Sequence, residues 1–369
     1  MSVSRILIVG SGAGGLFLAR ELGLRGCDVT VAHEQPLAQY ASTRNQGWLQ
    51  GGALYAGINQ PRVARECKVA AEWLTRFAPA AVDHQRRAFY LFERLDDAES
   101  FAARNAGAGI EFRDVRRLSR VAELSSIVQG SLYDYAVEAY DRPFNSSAVL
   151  RVVRDEVIAA GCSFVHVQQM SSCLRRASNS WALIGHPTTF DIVVIAAGAL
   201  IPELVSNLGF QIPFDPMWIT VLSVSGFPLD CMLLSPQPYR PNIVPFAEAL
   251  GDGFTLTLSK MDQLGSPNPN HVTSASSAVW AEFARTLPSL ATQASSGTHI
   301  SPHYCTKLAR RGNSEDRGFT IEPITSTNDL WIFYPGKFTT APLAARHCAR
   351  AVLGEPPGAV PVMNQPYHP

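Results

Sequence analysis

Two kinds of apolar pattern divide the chain. Short continuous runs rich in β-branched residues, Ile6–Val9, Asp28–Ala32, Asp191–Gly198 and Leu330–Tyr334, predict strands buried on both faces of a sheet. Apolar residues at three- and four-residue spacing predict helices over Leu16–Leu22, from Pro61 onward (Val63, Cys67, Ala70, Ala71, Leu74, Phe77), over Ala148–Ala160, and through Leu343, His347 and Val352. Gly26 and Gly161 stop the first and third of these helices, and Asn145-Ser-Ser opens the third. Arg87–Arg94 reads as a strand and Asp96–Arg104 as a helix capped by its acid. Phe164–Val167 and Trp181–Ile184 read as two strands of one hairpin. Beyond Pro213 the pattern changes to short strands at Ile219–Val224, Cys231–Leu234 and Phe254–Leu258, separated by turns containing Pro, Gly and Asp, with one helix over Ala278–Leu287. Pro36–Tyr40 is a loop. Ala41–Tyr55 is polar and glycine-rich with neither period, the kind of long loop in which function concentrates. Val121–Tyr140 shows no clear period, and the proline-rich tail after Gly354 predicts loose chain.

Between the first strand and the first helix lies Gly10-Ser11-Gly12-Ala13-Gly14-Gly15, and a second strand follows. This is G-x-G-x-x-G at the strand-to-helix turn of a βαβ unit, the context that makes the pattern a dinucleotide fingerprint. Gly10 permits the tight turn, Gly12 lets backbone approach a pyrophosphate, and Gly15 lets helix and sheet pack closely. The phosphates then meet the unpaired N–H groups and positive dipole of the helix N-terminus. The acid that holds a ribose hydroxyl belongs near the end of the second strand, where spacing points to His33 and the nearest acid is Glu34. Either the strand ends early and Glu34 swings round, which is the favoured alternative, or His33 takes its place.

Length and composition narrow the class. A chain of 369 residues predicts two domains; 46% hydrophobic and 17% charged residues predict a globular protein. Zero formal net charge argues against a nucleic-acid partner held by bulk electrostatics. Seven scattered cysteines without C-x-x-C point to a reducing compartment and to neither a metal site nor a disulfide framework. The first strand leaves no room for a signal peptide, and no apolar run is long enough to span a bilayer, so the expected location is cytoplasmic.

Four segments in order resemble the flavin-dependent oxidoreductases of the D-amino-acid oxidase superfamily, most of all their glycerol-3-phosphate and 2-hydroxyglutarate dehydrogenase branches. They are the N-terminal fingerprint, Ser42-Thr-Arg-Asn-Gln-Gly47 through Gln50-Gly-Gly52 to Tyr55, the strand ending in Ala-Ala-Gly198, and Gly336-Lys-Phe-Thr-Thr340. The resemblance implies an α/β fold: a Rossmann-like FAD-binding domain (1–86, 141–212 and 318–356) with an inserted α+β substrate domain on a mixed sheet (87–140 and 213–317) and a tail (357–369). It implies FAD held by the fingerprint, by His33 or Glu34, by Ser42, Thr43 and Arg44 at the phosphates and ribityl chain, and by Gly47, Trp48 and Leu49 along the flavin edge. Met170 offers a main-chain contact or is a plain core methionine; Ala197 and Gly198 lie beside the cofactor. The N–H groups of Phe338, Thr339 and Thr340, after Gly336 and Lys337, are placed to stabilise negative charge on the flavin. The alternative for the two threonines is a hydroxyl helix cap.

Departures from the family bear on substrate. Gln50 stands where related dehydrogenases have His, so it is neither a base nor a histidyl-flavin link. Leu54 replaces an arginine, which removes a phosphate ligand and argues against glycerol 3-phosphate. Arg317 and Lys337 resemble anion-binding positions, with Lys307 less well aligned; each also reads as solvated charge. Cys305 lies near a thioether position of some relatives but reads better as a buried thiol. Tyr55 and Tyr334 close over the flavin or pack. The implied chemistry is hydride removal from a C–H beside an amine or hydroxyl of a small, polar, carboxylated substrate, with oxygen or a carrier as electron acceptor; Gln50, Tyr55, Arg317 and Lys337 are the candidate reacting-site residues. A flavin monooxygenase using NAD(P)H, a redox-silent FAD-binding protein and a nicotinamide dehydrogenase are the competing readings.

Overall fold

A computed structural model describes residues 4–35, 41–124, 127–247, 250–259, 263–265, 268–295, 297–311 and 318–356. The loop expected at Pro36–Tyr40, Arg317 and the tail from residue 357 lie outside them. Contacts divide the chain into two units: residues 1–43, 147–217 and 306–369 form the first, and 44–146 and 218–305 the second.

The first unit is built on a six-stranded sheet in the order Thr320–Pro323, Leu330–Tyr334, Ile192–Ile195, Arg5–Val9, Asp28–His33, Ser163–His166. All neighbours are parallel except the first pair. Ile6, Leu7, Ile8 and Val9 are fully buried in the middle of this sheet, their backbone paired to Ile192–Ile195 on one side and Val29–Ala32 on the other. Helix Ala13–Gly23 packs on helix Ala341–Val352. Strands Leu174–Ala177, Ser180–Leu183 and Thr189–Phe190 form a small sheet whose Trp181 and Phe190 join Leu7, Val193 and Ile332 in the core.

The expected hairpin is paired differently. Ser163–His166 follows helix Ser146–Ala159 and runs parallel to Asp28–His33, as a strand returning from a crossover helix does. The hairpin partner of Ser180–Leu183 is Leu174–Ala177, joined through Ser178 and Asn179 with Ser178 at φ 49°, a turn that periodicity alone does not reveal.

The second unit carries a nine-stranded sheet that includes Arg87–Phe92, Phe112–Arg117, Tyr135–Ala139, Phe214–Ser225, Cys231–Leu234, Pro241–Pro245 and Gly253–Leu258. Along Arg87–Phe92, Tyr90 and Phe92 enter one core with Trp48, Cys67 and Phe101, and Phe89 and Leu91 enter another with Phe254, Phe283 and Leu290. The sheet is therefore covered on both faces, as its period-two alternation of two apolar sets requires. Helices Ala53–Gly57, Pro61–Phe77 and Leu95–Ala108 cover the first face. For this reason residues 44–86 and 141–146, expected with the nucleotide-binding domain, group with the second unit, and residues 213–217 and 306–311 group with the first. The helix expected from Asp96 begins at Leu95 with Arg94 at its cap and no side-chain capping bond; Asp96 and Asp97 sit in its first turn, where the dipole favours acids. The helix expected from Ala278 begins well before it, at Pro269, because Asn268 caps it by accepting from the Asn270 N–H at 2.9 Å. Among the described residues no helix is long and apolar enough to cross a membrane, and no cluster of three His, Cys, Asp or Glu is placed to hold a metal.

Candidate cofactor site

Two glycines of the fingerprint, Gly10 and Gly15, sit against backbone where no side chain fits, and Gly12 and Gly14 are closely packed. Gly10 has φ 115°, and a Cβ there would lie 2.6 Å from the Ala196 carbonyl oxygen. A Cβ on Gly15 would lie 1.8 Å from the Gly10 oxygen, which is the close helix–sheet packing the sequence predicts. On Gly14 it would meet Pro335 at 3.1 Å, and on Gly12 the Ser42 hydroxyl at 3.1 Å. Ser42 in turn accepts a hydrogen bond from the Ala13 N–H at 2.9 Å. Apart from this bond to Ser42, helix Ala13–Gly23 has no capping bond from its own N-cap residue and no acid in its first turn, so its N-terminal field favours an external anion. The turn lies between the ends of Arg5–Val9 and Ile192–Ile195, with Asp28–His33 on the far side of Arg5–Val9: the topological switch point where open α/β sheets bind ligands.

The last helix delivers a second element to the same place. Gly14 is in contact range of Pro335 and Phe333, and the rings of Phe17 and Phe338 meet edge to face at 6.4 Å between centroids. Gly336 has φ 72°, which only glycine adopts without strain, and reverses the chain after Leu330–Tyr334. The Thr340 hydroxyl donates to the Pro335 carbonyl at 2.7 Å and closes the turn. Helix Ala341–Val352 has Thr340 at its N-cap without a side-chain capping bond and no acid in its first turn. The Thr340 hydroxyl is therefore spent on the turn and not on a cap. Both threonines are buried, Thr339 at 1% and Thr340 at 2% exposure.

At the second strand, pairing continues through His33, so the strand does not end early. Glu34 still turns inward: its carboxylate accepts from the Met170 N–H at 3.3 Å. Glu34 and Met170 are thereby brought together, with the Met170 side chain in the core. His33 packs edge to face against Phe164 and His166, and burial holds its imidazole below the ordinary histidine range. Ala197 and Gly198 follow Ile192–Ile195, the Ala197 Cα lying 2.9 Å from a Cβ built on Gly10. The Tyr334 hydroxyl accepts from the Leu308 N–H at 3.1 Å and its ring packs on the core.

In the second unit the segment from Arg44 to Tyr55 is pinned along its length. The Arg44 guanidinium lies 5.7 Å from the centre of the Tyr304 ring. Burial lowers the neighbouring His303 pKa, assisted by the Arg44 charge. Gln46 donates to Thr257 at 2.6 Å and its carbonyl accepts from Thr255 at 2.7 Å. Gly47, at φ 66°, accepts from the Phe144 N–H at 2.8 Å, and Trp48–Leu49 pairs with Arg142–Pro143. The indole N–H of Trp48 and the N–H of Gly51, next to Gln50, both donate to Asp141 at 2.9 Å. Tyr55 is 6% exposed, and Leu54 packs against the same apolar cluster. Cys305 is buried and Lys307 half-buried. Asp141 and Tyr90 were not singled out by sequence: a lone acid in Tyr140-Asp-Arg-Pro143 carries no pattern, and its burial is a tertiary fact.

A family model described as "DAO: FAD dependent oxidoreductase" matches residues 5–351. One subunit of the anaerobic glycerol-3-phosphate dehydrogenase of Haemophilus influenzae is 29% identical over 157 residues, 42% of this chain and 27% of that protein. The chain therefore matches well under two thirds of that relative's length. Among solved structures, glycine oxidase from Geobacillus kaustophilus superposes with a TM-score of 0.70 at 16% identity, over 96% of each chain. L-alpha-glycerophosphate oxidase from Mycoplasma pneumoniae, solved with FAD bound, gives 0.73 at 14% identity, over 96% of this chain and 95% of that one. At these identities the likeness is one of fold.

Proposed function

The chain belongs to the DAO family of FAD-dependent oxidoreductases, and from that membership we propose that it takes a hydride from a C–H bond beside an amine or hydroxyl in a small, polar, carboxylated substrate. The supporting observation is the backbone cradle of the first unit, where Gly10 and Gly15 leave no room for a side chain and the helix after Gly12 has no acid in its first turn. That cradle fits a pyrophosphate-bearing cofactor. FAD, when bound, supplies the hydride acceptor, and the residues of the chain bind and orient.

We assign the pyrophosphate to the Gly10–Gly15 turn with Ser42, Thr43 and Arg44, the ribose hydroxyls to Glu34, and the negative edge of the flavin to the helix that starts after Gly336–Thr340. Ala197 and Gly198 flank the cofactor. Gly47, Trp48 and Leu49 are assigned to the flavin edge, and Gln50, Tyr55, Lys337 and Arg317 to the reacting site, all on sequence motif. Leu54 lies against an apolar cluster and offers no phosphate ligand, so a carboxylate rather than a phosphate ester is the expected substrate anion.

The test is the visible spectrum of the purified protein, followed by anaerobic addition of amino acids, 2-hydroxy acids and glycerol 3-phosphate in turn. A yellow protein whose bound cofactor is bleached by an amino or hydroxy acid is expected. A colourless protein that takes up no FAD, or bleaching by glycerol 3-phosphate alone, would overturn the assignment.

A further inference from the structure

We propose that Asp141 is the positioning residue for the segment Trp48–Tyr55 and, through it, for Gln50 and Tyr55. The inference rests on the proposed function, in which these two serve the reaction. Asp141 is fully buried. One carboxylate oxygen accepts from the Trp48 indole N–H and from the Gly51 backbone N–H, each at 2.9 Å; the other accepts from the Tyr90 hydroxyl at 3.3 Å. Tyr90, itself fully buried, is also hydrogen-bonded to the backbone of Leu54. One carboxylate thus grips the segment at its start and middle directly, and next to Tyr55 through the Tyr90 hydroxyl.

The backbone between these grips is closely packed. A Cβ on Gly51 would stand 3.0 Å from the Tyr140 carbonyl oxygen, and one on Gly52, at φ 103°, 2.4 Å from the Ala64 oxygen. Asp141 adjoins Arg142–Pro143, the strand that pairs with Trp48–Leu49, so the carboxylate and the ladder fix one register together. Burying a carboxylate is expensive, and apolar replacement of buried charges is often neutral or stabilising. A core that needed only packing would be served by a leucine. What the carboxylate adds is convergence: three donors from two chain segments must meet it at once, which specifies where Gln50 and Tyr55 stand.

The experiment compares the holoprotein with Asp141→Asn, Asp141→Leu and Tyr90→Phe, the last keeping the ring packed on Phe101 and removing only the hydroxyl relay. Amide hydrogen exchange is read over residues 48–55 and 5–15, FAD affinity by fluorescence, and steady-state kinetics with whichever substrate bleaches the parent. Exchange over 48–55 is expected to rise by about tenfold or more in each variant while 5–15 is unchanged, consistent with loss of local opening free energy. The value of kcat is expected to fall by about 100-fold, the scale of a misplacement near 1 Å, with KM and FAD affinity moving far less. Unchanged exchange over 48–55 in a folded variant would overturn the proposal whatever happens to turnover. Faster exchange with unchanged kcat would overturn the part given to Gln50 and Tyr55, and so separates a failure of the functional reading from a failure of the clamp. Tyr90→Phe keeps the test open should both Asp141 variants fail to fold.

Discussion

Gly15 and Gly26 are one residue type, the first in the opening turn of the first helix and the second just past its end, but the space around them differs. A methyl group at Gly15 would have to displace the Gly10 carbonyl, since 1.8 Å to a backbone oxygen leaves no rotamer to adjust. At Gly26 nothing lies within 4 Å, and the only obstacle is its φ of 77°. Gly15→Ala is therefore expected to cost more than about 3 kcal/mol, beyond the usual range for overpacking, and to abolish FAD retention. Gly26→Ala is expected to cost about 1–2 kcal/mol, the strain of a left-handed residue, and to leave FAD binding intact. Urea unfolding with FAD titration separates the two; equal costs would show that the fingerprint glycine is not sterically required. The motif made Gly15 legible because its role is local, set by a strand and the helix that follows. Asp141 was illegible for the opposite reason. Its partners Trp48, Gly51 and Tyr90 lie 93, 90 and 51 residues away, and no short-range pattern records such a meeting.

At the scale of elements, the strands that could be read were those buried on both faces, such as Ile192–Ile195 and Leu330–Tyr334. Phe112–Arg117 escaped notice because it carries Arg113, Asp114, Arg116 and Arg117 on a largely exposed strand, held by pairing to Tyr135–Ala139 rather than by its own apolar content. How helices are fastened was not legible either. Helix Ala13–Gly23 carries a buried ion pair, Arg20 with Glu21, which reaches Arg346 on the last helix at 3.7 Å and Glu156 on Ser146–Ala159. The side chains of Arg20 and Glu21 are only 7% and 5% exposed, whereas that of Glu156 is 42% exposed. Glu21→Ala removes the buried carboxylate shared by Arg20 and Arg346 while Arg20 keeps Glu156, and is expected to destabilise by about 1–3 kcal/mol, the cost of taking one hydrogen-bond partner from buried polar groups. Glu156→Ala removes a partner that water can replace and is expected to cost at most about 1 kcal/mol. Chemical denaturation of the two variants checks the order, and a larger loss for Glu156→Ala would mean that the surface arm carries the network.

For the whole molecule, each of the two units into which contacts divide the chain is drawn from separated stretches of sequence. Residues 44–86 group with the second unit through long-range contacts: Trp48–Leu49 pairs with Arg142–Pro143, and the apolar face of Pro61–Phe77 meets Ala53–Gly57 and Leu95–Ala108. The chain passes between the units after residues 43, 146, 217 and 305, so neither unit is a continuous piece of sequence. Ending the chain at Cys305 makes the consequence testable. It deletes Thr320–Pro323, Leu330–Tyr334 and Ala341–Val352, all from the first unit. Ile192–Ile195 then becomes an edge strand with an unpaired ladder and apolar side chains, a template for aggregation. Gly14 and Phe17 lose the Pro335 and Phe338 contacts that complete the cradle. The truncated chain is expected to be insoluble or colourless. Co-expression of residues 306–369 is expected to restore soluble yellow protein, because the missing strand and helix dock through ordinary non-covalent contacts. A chain ending at Cys305 that bound FAD as tightly as the full chain would show that the turn after Leu330–Tyr334 contributes nothing to the site.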